Sequence, residues 1–167
     1  LRAHQNALVA ELGKEASREA LKEELTAFAK GRAKEEPALY RERIEHLLDA
    51  AQSYATVPYF LTVLIKLEIE ARHSLVKSVP EFLKTIPSQV IGRRLSEGRL
   101  PVNSFASYDF QGHLDWLLRE GGEESKKGVQ DLILKGLFDP DDVVVDQTIN
   151  ALALLPRAKK EILLPWA

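Results

Sequence analysis

The chain contains neither cysteine nor methionine. The lack of cysteine excludes disulfide bonds, cysteine-ligated zinc or iron–sulfur sites and a thiol nucleophile, while it leaves the cellular compartment open. The lack of methionine extends to the first position, which is Leu1. We therefore expect the sequence to be a processed product or a piece of a longer protein.

Long apolar runs and an excess of one charge are also missing. The longest apolar stretch, 59–69, is interrupted by Lys66 and Glu68, and it is shorter than the roughly 20 residues that span a bilayer. Charged residues make up 29% of the chain with both signs interspersed, and the formal net charge is -2. The composition predicts a soluble protein without a membrane span, and it favours neither nucleic acid nor an anionic membrane surface as a partner.

Motifs that carry chemistry are equally scarce. Glycine-rich phosphate loops and the His-Glu-x-x-His string are absent, and the glycine pair at 121–122 precedes two glutamates that would repel phosphate. Glu70 and His73 have the spacing found in di-iron carboxylate sites, but such a site requires a second copy, which the sequence lacks. The pattern therefore predicts no catalytic residue, no cofactor and no metal site.

Apolar residues recur at steps of three and four along most of the chain. This spacing predicts one helix that ends near Gly31, a second that stops before Pro58 and a third, more apolar helix that begins there. We expect Pro87 to interrupt the next helix and a second short helix to cover 88–95. Because no stretch alternates convincingly with period two, the sequence predicts an all-α protein of about seven to nine helices.

The helical pattern breaks at 97–108, where Gly98, Pro101 and Asn103 fall close together. Such residues favour turns and loops over continued helix. We therefore predict an amphipathic helical bundle over 1–96, a loop over 97–108 and a second helical region over 109–167.

The second region contains the stretch 129–155, VQDLILKGLFDPDDVVVDQTINALALL. Leu134, Leu137 and Phe138 would complete one amphipathic helix, and Asp139 or Asp141 is placed to cap the next. The predicted inner face of that second helix comprises Val144, Thr148, Ala151, Leu152 and Leu155. The order of apolar helix, Asp-Pro-Asp turn and apolar helix resembles a HEAT repeat, a family in which a small alanine commonly occupies the position of Thr148.

The resemblance implies an α-solenoid of HEAT-like helical hairpins, because a single repeat cannot bury its apolar face alone. It further implies a non-catalytic scaffold, an adaptor or an accessory subunit that binds a protein partner within a larger assembly. Residues 157–164 would begin a further, incomplete repeat. We expect its apolar edge either to bind that partner or to fold back onto the preceding helix; this edge comprises Ile162, Leu163, Leu164 and Trp166.

Two alternative functions remain open at this stage. A nucleic-acid-binding helical-repeat domain would need a ridge of basic side chains along successive helices, and the candidates are Arg93, Arg94, Arg99, Lys126, Lys127, Arg157, Lys159 and Lys160. The acidic turn at 139–142 would weaken the positive field of such a ridge. An enzyme would have its site near the 97–108 loop, where we would expect ionisable groups to converge around Asp109, His113 and Arg94.

Overall fold

A computed structural model describes residues 2–31, 35–73, 82–97, 99–100, 116–118 and 122–154. These residues lie in helices or in the turns between them, and no strand occurs among them. The predicted all-α class is therefore confirmed. The chain divides into two compact units, 1–90 and 91–167, which are described one at a time.

The helices follow one another with short connections in the N-terminal unit. The helices of the two units are α1 Arg2–Ala10, α2 Glu15–Lys30, α3 Pro37–Ser53, α4 Val57–His73, α5 Phe82–Ser96, α6 Gly122–Leu137 and α7 Asp142–Leu154. Residues 116–118 are also helical. The boundary between the two units falls inside α5. In the described ranges, no helix has both the length and the apolar character that a bilayer crossing requires.

The first helix predicted from the sequence is in fact two helices. α1 ends at Ala10, and a turn around Gly13 precedes α2. The Arg18 guanidinium donates hydrogen bonds to the Leu12 and Gly13 carbonyl oxygens at 2.8 and 3.0 Å. These contacts supply hydrogen-bond donors to carbonyl groups of the turn, which lies beyond the end of α1. The apolar periodicity of the sequence did not reveal the break between α1 and α2. Leu12 lies within the turn, but it is buried and continues the apolar spacing of the two helices.

The N-terminal unit is held together by contacts of α1 with α2 and α3, and of α4 with α2 and α3. α4 contributes a wide buried face, as its apolar sequence predicts, with Phe60, Leu61, Val63, Leu64 and Leu67 in the core. The turn before it is tied to α1, because the buried Thr56 hydroxyl donates to the Val9 carbonyl oxygen at 3.0 Å. This bond joins the α3–α4 connection to the end of α1.

α5 is one helix, although the sequence predicted an interruption at Pro87. Proline lacks the backbone N–H that an α-helix uses, so its position within α5 removes one backbone hydrogen bond. Ile86 and Val90 are buried on either side of it. We infer that this apolar burial offsets the cost of the proline.

In the C-terminal unit, α6 and α7 pack against each other. The buried residues of α6, Val129, Leu132 and Ile133, are spaced at helical intervals, and Val144 and Thr148 supply the buried positions of α7. This pair of helices and its connecting turn form the best-described part of the unit.

Candidate functional site

The turn between α6 and α7 is ordered by two aspartates. The Asp141 backbone N–H donates to Asp139 Oδ1 at 2.9 Å, and the Val143 N–H donates to Asp141 Oδ1 at 2.9 Å. The second contact is the N-cap geometry, in which a side-chain oxygen accepts from an otherwise unpaired N–H of the first helical turn. Of the two predicted capping residues, Asp141 is the one that caps α7, and Asp139 orders the turn.

Two large apolar side chains project from this connection into solvent. Phe138 is 84% exposed and Val143 is 61% exposed. The prediction that Phe138 completes the buried face of α6 is therefore wrong. The buried stripe reaches Gly136, and a residue two positions further on points about 200° away around a helix. We call Phe138 and Val143 the turn surface.

Below the turn surface, α6 and α7 approach each other closely at Gly136. A Cβ atom added to Gly136 would lie 3.1 Å from Thr148 Cγ2 and 3.2 Å from Thr148 Cβ, and closer still to Oγ1. Thr148 is fully buried, and its hydroxyl donates to the Val144 carbonyl oxygen at 2.7 Å. Glycine is therefore required here for the two helices to pack at this distance, and this packing supports the turn surface.

The described part of the predicted basic ridge does not form a common exposed row. Arg94 is only 2% exposed and therefore cannot present its guanidinium to a phosphate backbone. The Arg99 Nη1 atom lies 3.1 Å from Glu97 Oε2, and Lys126 Nζ lies 3.8 Å from Glu123 Oε2. The remaining described candidates, Arg93 and Lys127, are exposed, and the others, Arg157, Lys159 and Lys160, lie outside the described residues.

The predicted partner-binding residues also lie outside the described residues; they are Ile162, Leu163, Leu164 and Trp166. Asp109 and His113, named for a possible enzyme site, lie outside them as well, as does most of 97–108. These assignments stay predictions.

The Glu70 and His73 pair lies on the exposed edge of α4. Glu70 Oε1 accepts a hydrogen bond from Lys22 Nζ at 2.8 Å, and the same ammonium lies 2.7 Å from Glu19 Oε2. Across the described ranges, no group of three or more histidine, aspartate or glutamate side chains is arranged to hold a metal ion. Glu70 thus takes part in an ion-pair network between α2 and α4.

This network perturbs the pKa values of Lys22 and Glu19. The hydrogen bond to Glu19, followed by the one to Glu70, raises the pKa of Lys22 above its ordinary value. In turn, the hydrogen bond from Lys22 lowers the pKa of Glu19. The charged forms of both groups are therefore favoured in the folded chain.

The N-terminal unit contains a second polar feature, a small cavity bordered by α1, α2 and α3. Its volume is about 120 Å³, and it is lined by Arg2, Phe28, Leu39, Glu42 and Arg43. Pockets for drug-sized ligands occupy roughly 300–1,000 Å³. The cavity is therefore sized for a small group. We call it the arginine-lined cavity.

The arginines of this cavity differ in their surroundings. Arg2 Nη2 donates to Glu42 Oε1 at 3.2 Å across the surface. Arg43 instead donates from Nη1 to the neutral Gln5 Oε1 at 3.0 Å, and its guanidinium carbon lies 5.1 Å from the centre of the Phe28 ring. Burial, with a further contribution from Arg2, lowers the pKa of Arg43, and the nearby Glu42 charge only partly opposes this.

Sequence reasoning missed the arginine-lined cavity. Its residues come from three helices and are separated by up to about forty positions. No local signal marked Arg43, because a charged residue beside an apolar stripe is the ordinary pattern of an amphipathic helix. Which side chains surround Arg43 depends on how α1 and α2 pack against α3.

Comparison of the chain with protein-family models, with curated proteins and with solved structures finds no match.

Proposed function

We propose that this chain is a non-catalytic protein-interaction module that serves as a scaffold, an adaptor or an accessory subunit of a larger assembly. In this proposal, an N-terminal helical bundle is followed by HEAT-like hairpins, of which α6 and α7 form one. The observation that carries the proposal is the exposure of Phe138, which is 84% of the side chain's full accessible surface.

The turn surface has the properties of a binding anchor. Burying a phenylalanine or valine side chain contributes about 1.5–3 kcal/mol, and exposed aromatic residues are enriched at protein interfaces. The Asp139 and Asp141 hydrogen bonds hold the turn in one conformation. A preformed turn loses little conformational entropy on binding, which favours affinity.

The resemblance to HEAT repeats adds a second, independent argument. Repeats of this kind stack on neighbours along their length and bind partners along extended surfaces. In the proposed assembly, the predicted apolar edge at 162–166 extends the contact surface. Fold and function are separable, so the interaction itself must be tested.

The test is site-specific photo-crosslinking of the full chain in cells of its natural source. A benzoyl-phenylalanine replaces Phe138 in one protein and the exposed Lys127 of α6 in the control. We expect a discrete protein adduct from position 138 that is absent from position 127. Identical adduct patterns from the two positions, or none from position 138, would refute the proposed role of the turn surface.

A further inference from the structure

Two buried hydrogen-bond donors in this region lack acceptors: one belongs to Arg43, which lines the arginine-lined cavity, and the other to Gln5, which is bonded to Arg43. Gln5 is fully buried, and its Oε1 accepts from Arg43, which leaves its Nε2 group with no acceptor in the described part of the chain. Arg43 Nε is likewise buried without an acceptor there. Turning the Gln5 amide over would place its NH₂ group against the guanidinium, so the imbalance cannot be removed by that rotation.

The charges that line the cavity also favour the binding of an anion. Its lining includes two guanidinium groups and one carboxylate, and that carboxylate, Glu42, is engaged by Arg2 at the exposed rim. Arg43 receives only the neutral amide oxygen of Gln5 as a hydrogen-bond acceptor. A guanidinium that is partly removed from water and lacks a bonded carboxylate favours binding of an anion, above all one with planar oxygen pairs.

The rest of the lining is apolar. Phe28 and Leu39 complete the wall of the cavity, and Phe28 also stacks against Arg43. Its volume of about 120 Å³ corresponds to roughly four water molecules at about 30 Å³ each. A carboxylate with a few carbon atoms would fit this volume.

We propose that the arginine-lined cavity binds a carboxylate attached to a short aliphatic group, with Arg43 and Arg2 holding the carboxylate and Phe28 and Leu39 contacting the carbon chain. Two sources share this chemistry: a free short-chain carboxylic acid, and the C-terminal residue of a peptide that ends in an aliphatic side chain. This site lies in the 1–90 unit and is independent of the turn surface.

The first experiment is an NMR titration of the full chain with butyrate, observed through the arginine Nε–Hε signals. Butyramide, which has nearly the same size but no charge, is the control ligand. We expect saturable shifts of the Arg43 signal with butyrate and none with butyramide. Equal shifts with both compounds would overturn the proposal.

Three variants of the chain test the electrostatic argument. Glu42→Gln frees Arg2 and removes a repelling charge, so butyrate should bind about threefold to tenfold more tightly. Arg43→Lys keeps the charge but loses the planar fork, and affinity, followed through the Arg2 signal, should fall about tenfold. Glu23→Gln makes the same charge change on the exposed face of α2 and should leave affinity unchanged. Weaker binding by Glu42→Gln, with helicity preserved, would contradict the assigned role of the cavity.

A second titration distinguishes the two sources. The peptide acetyl-Gly-Gly-Leu is compared with its C-terminal amide, with the same Arg43 signal as the readout. Binding of the free acid but not the amide would identify a peptide C-terminus as the ligand. Binding of butyrate without either peptide would identify a free acid. If neither butyrate nor the peptide acid shifts the Arg43 signal, the cavity is not a carboxylate site.

Discussion

Replacing Gly136 with alanine is expected to destabilise the C-terminal unit, although alanine normally stabilises a helix. In a helix interior, alanine is favoured over glycine by about 1 kcal/mol. Here the added methyl group would meet Thr148 Cγ2 and Cβ at 3.1 and 3.2 Å. Overpacking of this kind costs roughly 1–3 kcal/mol. The steric term therefore equals or exceeds the propensity gain, and we expect a net loss of up to about 2 kcal/mol in the free energy of unfolding.

The sign of the effect should reverse when space is provided. Thr148→Ala removes the two atoms that most obstruct the new methyl group, Oγ1 and Cγ2. In that background, Gly136→Ala should be neutral or should stabilise by up to about 1 kcal/mol. The double-mutant cycle should therefore give a coupling of about 1–3 kcal/mol, which is typical of residues in direct contact.

The assay is urea unfolding followed by tryptophan fluorescence. Both tryptophans of the sequence, Trp116 and Trp166, belong to the 91–167 unit, so their emission reports on that unit separately from the other. A separate probe is needed because a chain with two units does not have to unfold in a single transition. Lys135→Ala is the control, since Lys135 is exposed on the same helix, α6, and belongs to the unit on which the tryptophans report. If Gly136→Ala stabilises the unit equally in both backgrounds, the close packing of α6 on α7 is incorrect.

Three further predictions concern stability. Asp141→Ala removes the cap of α7 and should lower the free energy of unfolding by about 0.5–2 kcal/mol, measured by tryptophan fluorescence in urea. Thr56→Val deletes the hydroxyl that bonds to the Val9 carbonyl and should cost about 1–3 kcal/mol, measured by far-ultraviolet circular dichroism. Because Glu19 has a lowered pKa and Lys22 a raised one, their contribution is lost as pH falls through the first pKa and as it rises through the second. The stability difference between wild type and Lys22→Met should therefore be largest between about pH 5 and pH 10.

Each of these predictions has a matched control. Asp146→Ala changes an exposed aspartate within the same helix, α7, and should have little effect compared with Asp141→Ala. Thr62→Val removes a hydroxyl that bonds within its own helix, to the Pro58 carbonyl, and should cost less than Thr56→Val. Lys30→Met should show no comparable maximum of the stability difference near neutral pH. If a variant and its control change stability equally, the physical cause assigned to that variant is wrong.

Local sequence signals predicted several elements correctly, because the chemistry that produces them lies within a few residues. The 3.6-residue period identified the all-α class, since an apolar stripe at that spacing can be buried only as a helix. The Asp-Pro-Asp turn was predicted together with its two capping candidates, and Asp141 occupies the cap. No comparable local signal distinguished the turn at 11–14 from a continuous helix, because buried Leu12 preserves the apolar period.

The tertiary structure decided the features on which the two proposals rest. Phe138 and Arg94 illustrate this: the apolar residue is exposed and the charged one is buried, because each orientation follows from how the helices pack rather than from the residue type. The arginine-lined cavity exists only where α1, α2 and α3 meet. The sequence by itself therefore determined the all-α class and the cap of α7, whose interactions are local. Packing between distant segments determined which side chains face solvent and which groups share a site.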